Sequence, residues 1–545
     1  MALAAIVIYR KGLGTTFFFD EWEFVMDRQP WRWDILLTPY NGHLSLVPVL
    51  VFKALFATVG LGPYWVYRVV LIGFHLLCVG LVFAYARRRV GNAPAVCAAA
   101  LVLFLGTAWH DLLVPFQIGF LGSVAGGVAM LIALDRRTLG GDVVAALGLA
   151  VSLSSSSIGI AFALAAFVEV LWLPGRWPRV WLAAVPFALY CAWYIDYRNS
   201  PQSIRAAVGP LEPALRANLP QLGSYMTSAA ATAFGALVGL GSNWGEVLLV
   251  AAAAIVLVRL AGRGPLSPRL VALLVAILAY WGLLAAFRAQ IVAPGESRYV
   301  YGGVVLILLV VLELAAGRRL GVEGLVLLAC LVAFSAVGNY AVLRSGSLSL
   351  QDSATHIRAE LGALEVAGRS VDPNYVPDQA RTQGVRAGPY LAVVRAHGSP
   401  ADSPAEIALQ ADPVRVEADG VLEHALGVTV RPAASASTAA PPVQLVSVGG
   451  GTVGRHGGCL VLRPGGPGAF VELVLPPGGA LVSPQGRSPV AYSLRHFAAA
   501  YALPLGTVTR TSSIRVGRGR TALTWYLRLQ ASQSVEACAA GGGRA

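Results

Sequence analysis
Apolar runs and short polar breaks alternate through residues 1–345. The clearest runs are 66–86, 94–109, 117–134, 142–156, 158–173, 180–195, 246–260, 269–287, 299–316 and 323–343. A helix crosses the hydrocarbon core with about 20 apolar residues. The pattern therefore predicts an α-helical polytopic membrane protein. Residues 1–9 are apolar but too short to span, and the residues after them already read as a loop. This favours a truncated start over a short first helix. With that partial helix the expectation is about eleven transmembrane helices.

The breaks sort into two kinds. Arg87 to Arg89, Arg136 with Arg137, Arg176 with Arg179, Arg259 with Arg263 and Arg269, and Arg318 with Arg319 mark five of them. Arginine collects on the cytoplasmic side. The alternate breaks, roughly 10–65, 110–116, around 157, 196–245 and 288–298, then face outward. Two further apolar stretches, 44–60 and 225–240, would invert this pattern if they crossed. Each is read as an interface helix or a re-entrant segment. The last span delivers the C-terminal region to the outside.

Beyond residue 345 the periodicity changes. Residues 346–442 form a mixed polar region ending in a linker at 433–442. From 443 onward, alternating runs between Gly/Pro turns predict strands at 443–448, 458–462, 470–475, 490–494, 513–516 and 524–529. Residues 443–545 are thus expected to be a small β-rich soluble domain.

Composition agrees with the membrane reading: 56% of residues are hydrophobic and only 13% charged, against about 25% charged in soluble domains. The net charge of +13 lies in short clusters at the ends of apolar runs. That is a topology signal rather than a nucleic-acid footprint. Lys11 and Lys53 are the only lysines, the mark of a GC-rich, bacterial coding bias. Cys78, Cys97, Cys191 and Cys330 lie in apolar runs as small buried side chains, and no cysteines have metal-ligand spacing. Cys459 and Cys538 fall in strand-like contexts, where a disulfide is expected if the domain is extracytoplasmic.

The first outer break reads Phe18-Phe19-Asp20-Glu21-Trp22-Glu23-Phe24, then Trp31-Arg32-Trp33, then Pro39-Tyr40-Asn41-Gly42-His43. A carboxylate at a membrane surface costs free energy unless it is solvated, paired or liganded. Sugar transfer to a hydroxyl needs a base, and a carboxylate suits that task. The plain alternative is a solvated loop acid, or a partner for Arg28 or Arg32. Trp22, Trp31 and Trp33 serve equally as interface anchors or sugar platforms.

An acidic pair directly after the first transmembrane helix, in a large outer loop with interface helices, resembles the GT-C glycosyltransferases. Protein O-mannosyltransferases and lipid A aminoarabinose transferases are members of that class. The resemblance covers roughly residues 1–345, with Asp20 and Glu21 at the acidic motif and Asn41-Gly42-His43 in the later part of the loop. It implies a catalytic or metal-organising role for Asp20 and Glu21, with Asp20 the base. The C-terminal domain matches no such family.

Two other outer breaks carry candidate chemistry. The first holds Trp109-His110-Asp111, with Gln117 opening the next span. His110 and Asp111 could transfer protons or bind a metal, or could simply cap a helix end; Gln117 could hydrogen-bond a sugar hydroxyl. The second holds Arg288 and Gln290, then Glu296-Ser297-Arg298-Tyr299. Arginines on the outer face run against the positive-inside trend, and a guanidinium binds phosphate with paired hydrogen bonds. A Ser-Arg-Tyr step there also resembles GT-C proteins, which implies contact with the donor phosphate. His43 is balanced between ligand contact and local hydrogen bonding. The hydroxyls of Ser154 to Ser157 are read as satisfying broken backbone.

Together these readings predict a glycosyltransferase of the bacterial plasma membrane. It would move a sugar from a polyprenyl-phosphate donor to a cell-envelope glycan or protein. A divalent metal ion is the one cofactor the acids could hold. The alternatives are a transporter or flippase of lipid-linked saccharide, or a membrane scaffold that displays a binding domain.

Overall fold
The computed structural model describes residues 1–545 except 29, 173–176, 202–210, 263–266, 383, 434–440, 520–522 and 541–545. Arg176, Arg263 and most of the expected linker lie outside the described residues. The chain divides into two compact units. One comprises Met1–Thr15 and Asp27–Gln351; the other comprises Thr16–Met26 and Asp352–Ala545.

The first unit is helical. Among the described residues, seven helices are long and apolar enough to cross a membrane. They include Tyr64–Val90, Pro115–Leu134, Pro268–Arg288 and Ser297–Leu314. The runs expected at 142–156, 158–173 and 180–195 form helices of 17, 14 and 17 residues, Leu139–Ser155, Gly159–Trp172 and Trp181–Tyr197. Leu46–Val59 and Leu222–Leu237 have 14 and 16 residues, short of the length rule. Small residues allow close helix packing: a Cβ on Gly126 would lie 2.6 Å from the Gly148 carbonyl.

One end of this unit gathers several arginine breaks. Arg89 Nε donates to Glu313 at 2.6 Å and its terminal nitrogens bond Asp135. Arg269 bonds both Asp135, at 3.1 Å, and Glu169, at 2.7 Å. The breaks after residues 86, 134 and 260 therefore share one end, as arginine alternation requires. Pairing each cation inside a network offsets the cost of holding it near apolar surface.

The break expected at 110–116 is instead mostly helical. Trp109–Leu113 forms a helical turn, and Pro115–Gln117 a 3₁₀ turn opened by its proline. Leu112, Leu113 and Val114 are buried, so their apolar side chains draw the segment inward.

The second unit contains helices Ala387–His397, Pro404–Leu409 and Asp412–Leu426 and two antiparallel sheets. The strands are β1 (Val428–Pro432), β2 (Leu445–Gly449), β3 (Gly451–His456), β4 (Cys459–Pro464), β5 (Phe470–Val474) and β6 (Ala480–Pro484). The remaining strands are β7 (Val490–Arg495), β8 (Gly506–Val508), β9 (Ser512–Val516), β10 (Tyr526–Gln530) and β11 (Val535–Ala539). One sheet runs β1-β9-β6-β11-β4-β3 and the other β2-β5-β10-β7-β8. The expected runs correspond to β2, β4, β5, β7, β9 and β10. The Gly-containing β3, short β8 and Ala-rich β11 have weak intrinsic strand signals and depend on their neighbours. Cys459 and Cys538 form a disulfide across a sequence separation of 79.

Candidate functional site
The site in the first unit starts from a tight turn. Tyr40 and His43 exchange backbone hydrogen bonds at 3.0 and 2.8 Å. The two central residues, Asn41 and Gly42, have φ of 47° and 81°. Asn-Gly suits such a two-residue turn because both positions need positive φ. The turn points the Asn41 carbonyl and the His43 ring at Arg288, at the end of the helix Pro268–Arg288. Arg288 Nη2 donates to the Asn41 carbonyl at 2.5 Å and lies 3.4 Å from His43 Nε2.

A guanidinium has no acceptor, so a hydrogen bond across this contact runs from Arg288 to His43 Nε2. Nδ1 lies 2.8 Å from Ser157 Oγ and accepts from the Ser157 amide at 3.3 Å. Ser157 Oγ in turn lies 3.2 Å from the Tyr190 hydroxyl. Burial first, then the charges of Arg288 and Arg298, push His43 down to about 3. The imidazole is therefore neutral near pH 7.

These groups form the polar end of a cavity of about 470 Å³. Its remaining wall is mainly apolar and aromatic, including Phe120, Ile160, Phe187, Leu283, Leu284 and Phe287. Tyr299 also lines it, stacked on Phe120 with ring centroids 5.8 Å apart.

A second group lies on the turn Trp109–Leu113 and the start of the helix Ser297–Leu314. Ser297 Oγ accepts from the His110 amide at 3.1 Å and donates to the Thr107 carbonyl at 2.9 Å. His110 stacks on Trp109, with centroids 3.7 Å apart, and its Nδ1 is 3.5 Å from Glu296. Asp111 is 0% exposed, and neither carboxylate oxygen has a hydrogen-bond partner among the described residues. Gln117 is buried, with Oε1 likewise unpartnered among them. Arg298 links the two groups electrostatically, since its charge acts on His43, His110 and Asp111.

Asp20 and Glu21 belong to the second unit. There Trp22 meets Tyr390 edge to face, with centroids 6.0 Å apart. Glu21 is 0% exposed and accepts the Phe18 amide proton at 2.8 Å, which ties the residues before the helix Glu21–Met26 to its first residue. Asp20 is half-buried. Within the first unit, then, His43, Arg288 and Tyr299 share one cavity, and His110, Asp111 and Arg298 form a neighbouring group.

Among the described residues, the only close set of three metal-ligand side chains is Cys459, Glu536 and Cys538. Its two sulfurs are joined to each other, so it offers no thiolate. Residue types alone did not select Ser157 or Tyr190. The signal available for Ser157 was its hydroxyl run on the same predicted face as Asn41-Gly42-His43.

No family model matches the chain, and no curated protein matches it. Among solved structures the chain is similar to ArnT from Cupriavidus metallidurans bound to undecaprenyl phosphate. The two are 15% identical, the match covers 72% of this chain and 83% of that one, and the TM-score is 0.45. A likeness of this extent leaves function to be read from the site's own residues.

Proposed function
We propose that this protein is a membrane glycosyltransferase. It moves a sugar from a polyprenyl-phosphate donor to a cell-envelope glycan or protein at the outer face of a bacterial plasma membrane. The cavity carries this reading: its apolar wall leads to a polar end formed by Asn41, His43, Ser157, Tyr190 and Arg288. A polyprenyl phosphate has the same division, an apolar tail and an anionic head. Arg288 suits the phosphate because a guanidinium presents paired donors. Neutral His43 and the Ser157 and Tyr190 hydroxyls supply hydrogen bonds without further charge, and Arg298 adds a second cation.

In the reaction, an acceptor hydroxyl attacks the anomeric carbon. The bond from that carbon to the phosphate oxygen breaks, and the lipid phosphate leaves with the electron pair. Asp20 takes the hydroxyl proton while Glu21 holds its segment in place, and the anomeric centre inverts. His110, Asp111, Gln117 and Tyr299 border the donor's head. The second unit lies outside the cytoplasm, where its disulfide persists.

The test is transfer by purified protein in nanodiscs, using a panel of polyprenyl-phosphate sugars and following release of the lipid phosphate. Activity with one donor that disappears in Arg288→Ala is expected. Wild-type protein that neither turns over any donor nor binds polyprenyl phosphate would sink the proposal.

A further inference from the structure
One face of the five-stranded sheet holds an arrangement unrelated to the cavity. Along β5, β10 and β7, the buried Val471, Leu473, Leu527, Leu529 and Leu494 point one way. Period-two alternation places Phe470, Glu472, Tyr526, Arg528, Ser493 and Arg495 on the opposite face, where Glu472 and Ser493 are buried and the other four half-buried. The loop after β7 adds Tyr501. Asp419 fixes that loop by accepting the amide protons of His496, Phe497 and Ala498 at 2.9, 2.8 and 3.0 Å. Asp412 accepts those of Ala499 and Ala500 at 2.7 and 3.0 Å.

Cations and rings alternate across this face. The Arg528 guanidinium lies 4.0 Å from the Phe470 centroid and 4.5 Å from that of Tyr501. Arg495 lies 5.2 Å from Tyr501 and 4.3 Å from Tyr526. These cation–ring contacts hold both guanidinium groups in place.

The two arginines differ in their anions. Glu472 stands directly opposite Arg528 in the β5–β10 register. Its carboxylate nevertheless bonds Arg495, through Nε at 3.0 Å and through Nη2, and also accepts from Ser447 Oγ at 2.8 Å. On the other side, Ser493 of β7 is opposite Arg528 and brings no charge. Among the described residues the Arg528 guanidinium has ring partners but no hydrogen-bond acceptor, and its Nε is enclosed. The face therefore holds a positioned cation whose neighbouring carboxylate is committed elsewhere.

We propose that this face binds an acidic saccharide, with a carboxylate of the sugar taking the terminal nitrogens of Arg528. A carboxylate matches the guanidinium fork in shape and charge. Exposed Gln530, half-buried Ser447 and the edge of Tyr526 on the same sheet, with Tyr501 on the loop beside it, meet sugar hydroxyls and C–H faces. Binding needs neither donor nor turnover, so its failure would leave the transfer reading untouched.

The experiment measures binding of the full chain in detergent to an oligogalacturonate and to its uncharged methyl ester of equal length. Wild type should bind the acid form at least tenfold more tightly than the ester, and more weakly at high salt. Arg528→Gln should lose that preference. Ser493→Asp, which supplies an internal carboxylate opposite Arg528, should lose it as well while the thermal transition is retained. Equal binding of acid and ester, wild-type affinity in both variants, or no binding by wild type would overturn the proposal. Binding of inorganic phosphate without the oligogalacturonate would overturn the saccharide assignment.

Discussion

Arg288 and His43 face each other at 3.4 Å, with the guanidinium also fastened to the Asn41 carbonyl one turn residue away. Burial first, and then the arginine's charge, keeps the imidazole neutral, and the turn keeps the arginine at the cavity's polar end. Removing the fork should therefore affect donor binding first. Hydrogen bonds to charged groups contribute about 1.5–3 kcal/mol, so Arg288→Ala should weaken polyprenyl-phosphate binding by about 10- to 150-fold. Arg288→Lys should recover only part of it, because a point charge lacks the fork. Titration of the lipid phosphate into both variants checks this, and equal affinity for all three proteins would refute it.

His43 predicts a sign for the pH dependence of stability. Its folded value is about 3, against 6.5 for the free side chain. Between those values the unfolded chain binds a proton that the folded chain refuses. Its contribution is complete above about pH 6.5 and is lost as pH falls toward 3, at up to about 1.4 kcal/mol per pH unit. Thermal unfolding in detergent should thus show a steeper acid loss in wild type than in His43→Gln. Parallel curves would show that His43 carries no such linkage.

Asp20 and Glu21 should separate on mutation. Asp20→Asn is expected to reduce transfer by about 100- to 10,000-fold, the span of general acid–base catalysis, with lipid-phosphate affinity unchanged. Glu21→Gln should lower stability as well as activity, since the buried carboxylate holds the Phe18 amide ahead of its own helix. Initial rates alongside thermal transitions distinguish the two; a fully active Asp20→Asn removes Asp20 from the mechanism.

The disulfide should stabilise the second unit. Closing a loop of this length contributes about 2–5 kcal/mol, so Cys459→Ser with Cys538→Ser should make the β region more sensitive to limited proteolysis in the full chain. Mass mapping of mature protein should find the two cysteines linked. Free thiols at both positions would argue against an oxidising location.

The hydrophobic pattern determined much of this protein unaided. Span length and arginine placement depend on local sequence and on the bilayer, so the helices from 64 onward and the shared arginine end were legible. Alternation exposed six strands in the same way. Other features depend on partners distant in the chain. Residues 110–116 fold as helical turns because Leu112 and Leu113 find a core to enter. The weakest strands exist because others pair with them. Asp20 and Glu21 pack with the C-terminal portion, which no local rule announces. His43 shows the division most directly. Asn-Gly before it predicts a turn from φ preferences alone, but only the tertiary structure brings Arg288, 245 residues away, to its Nε2. The residue types stated what chemistry was available; long-range packing decided which groups meet and how each is charged.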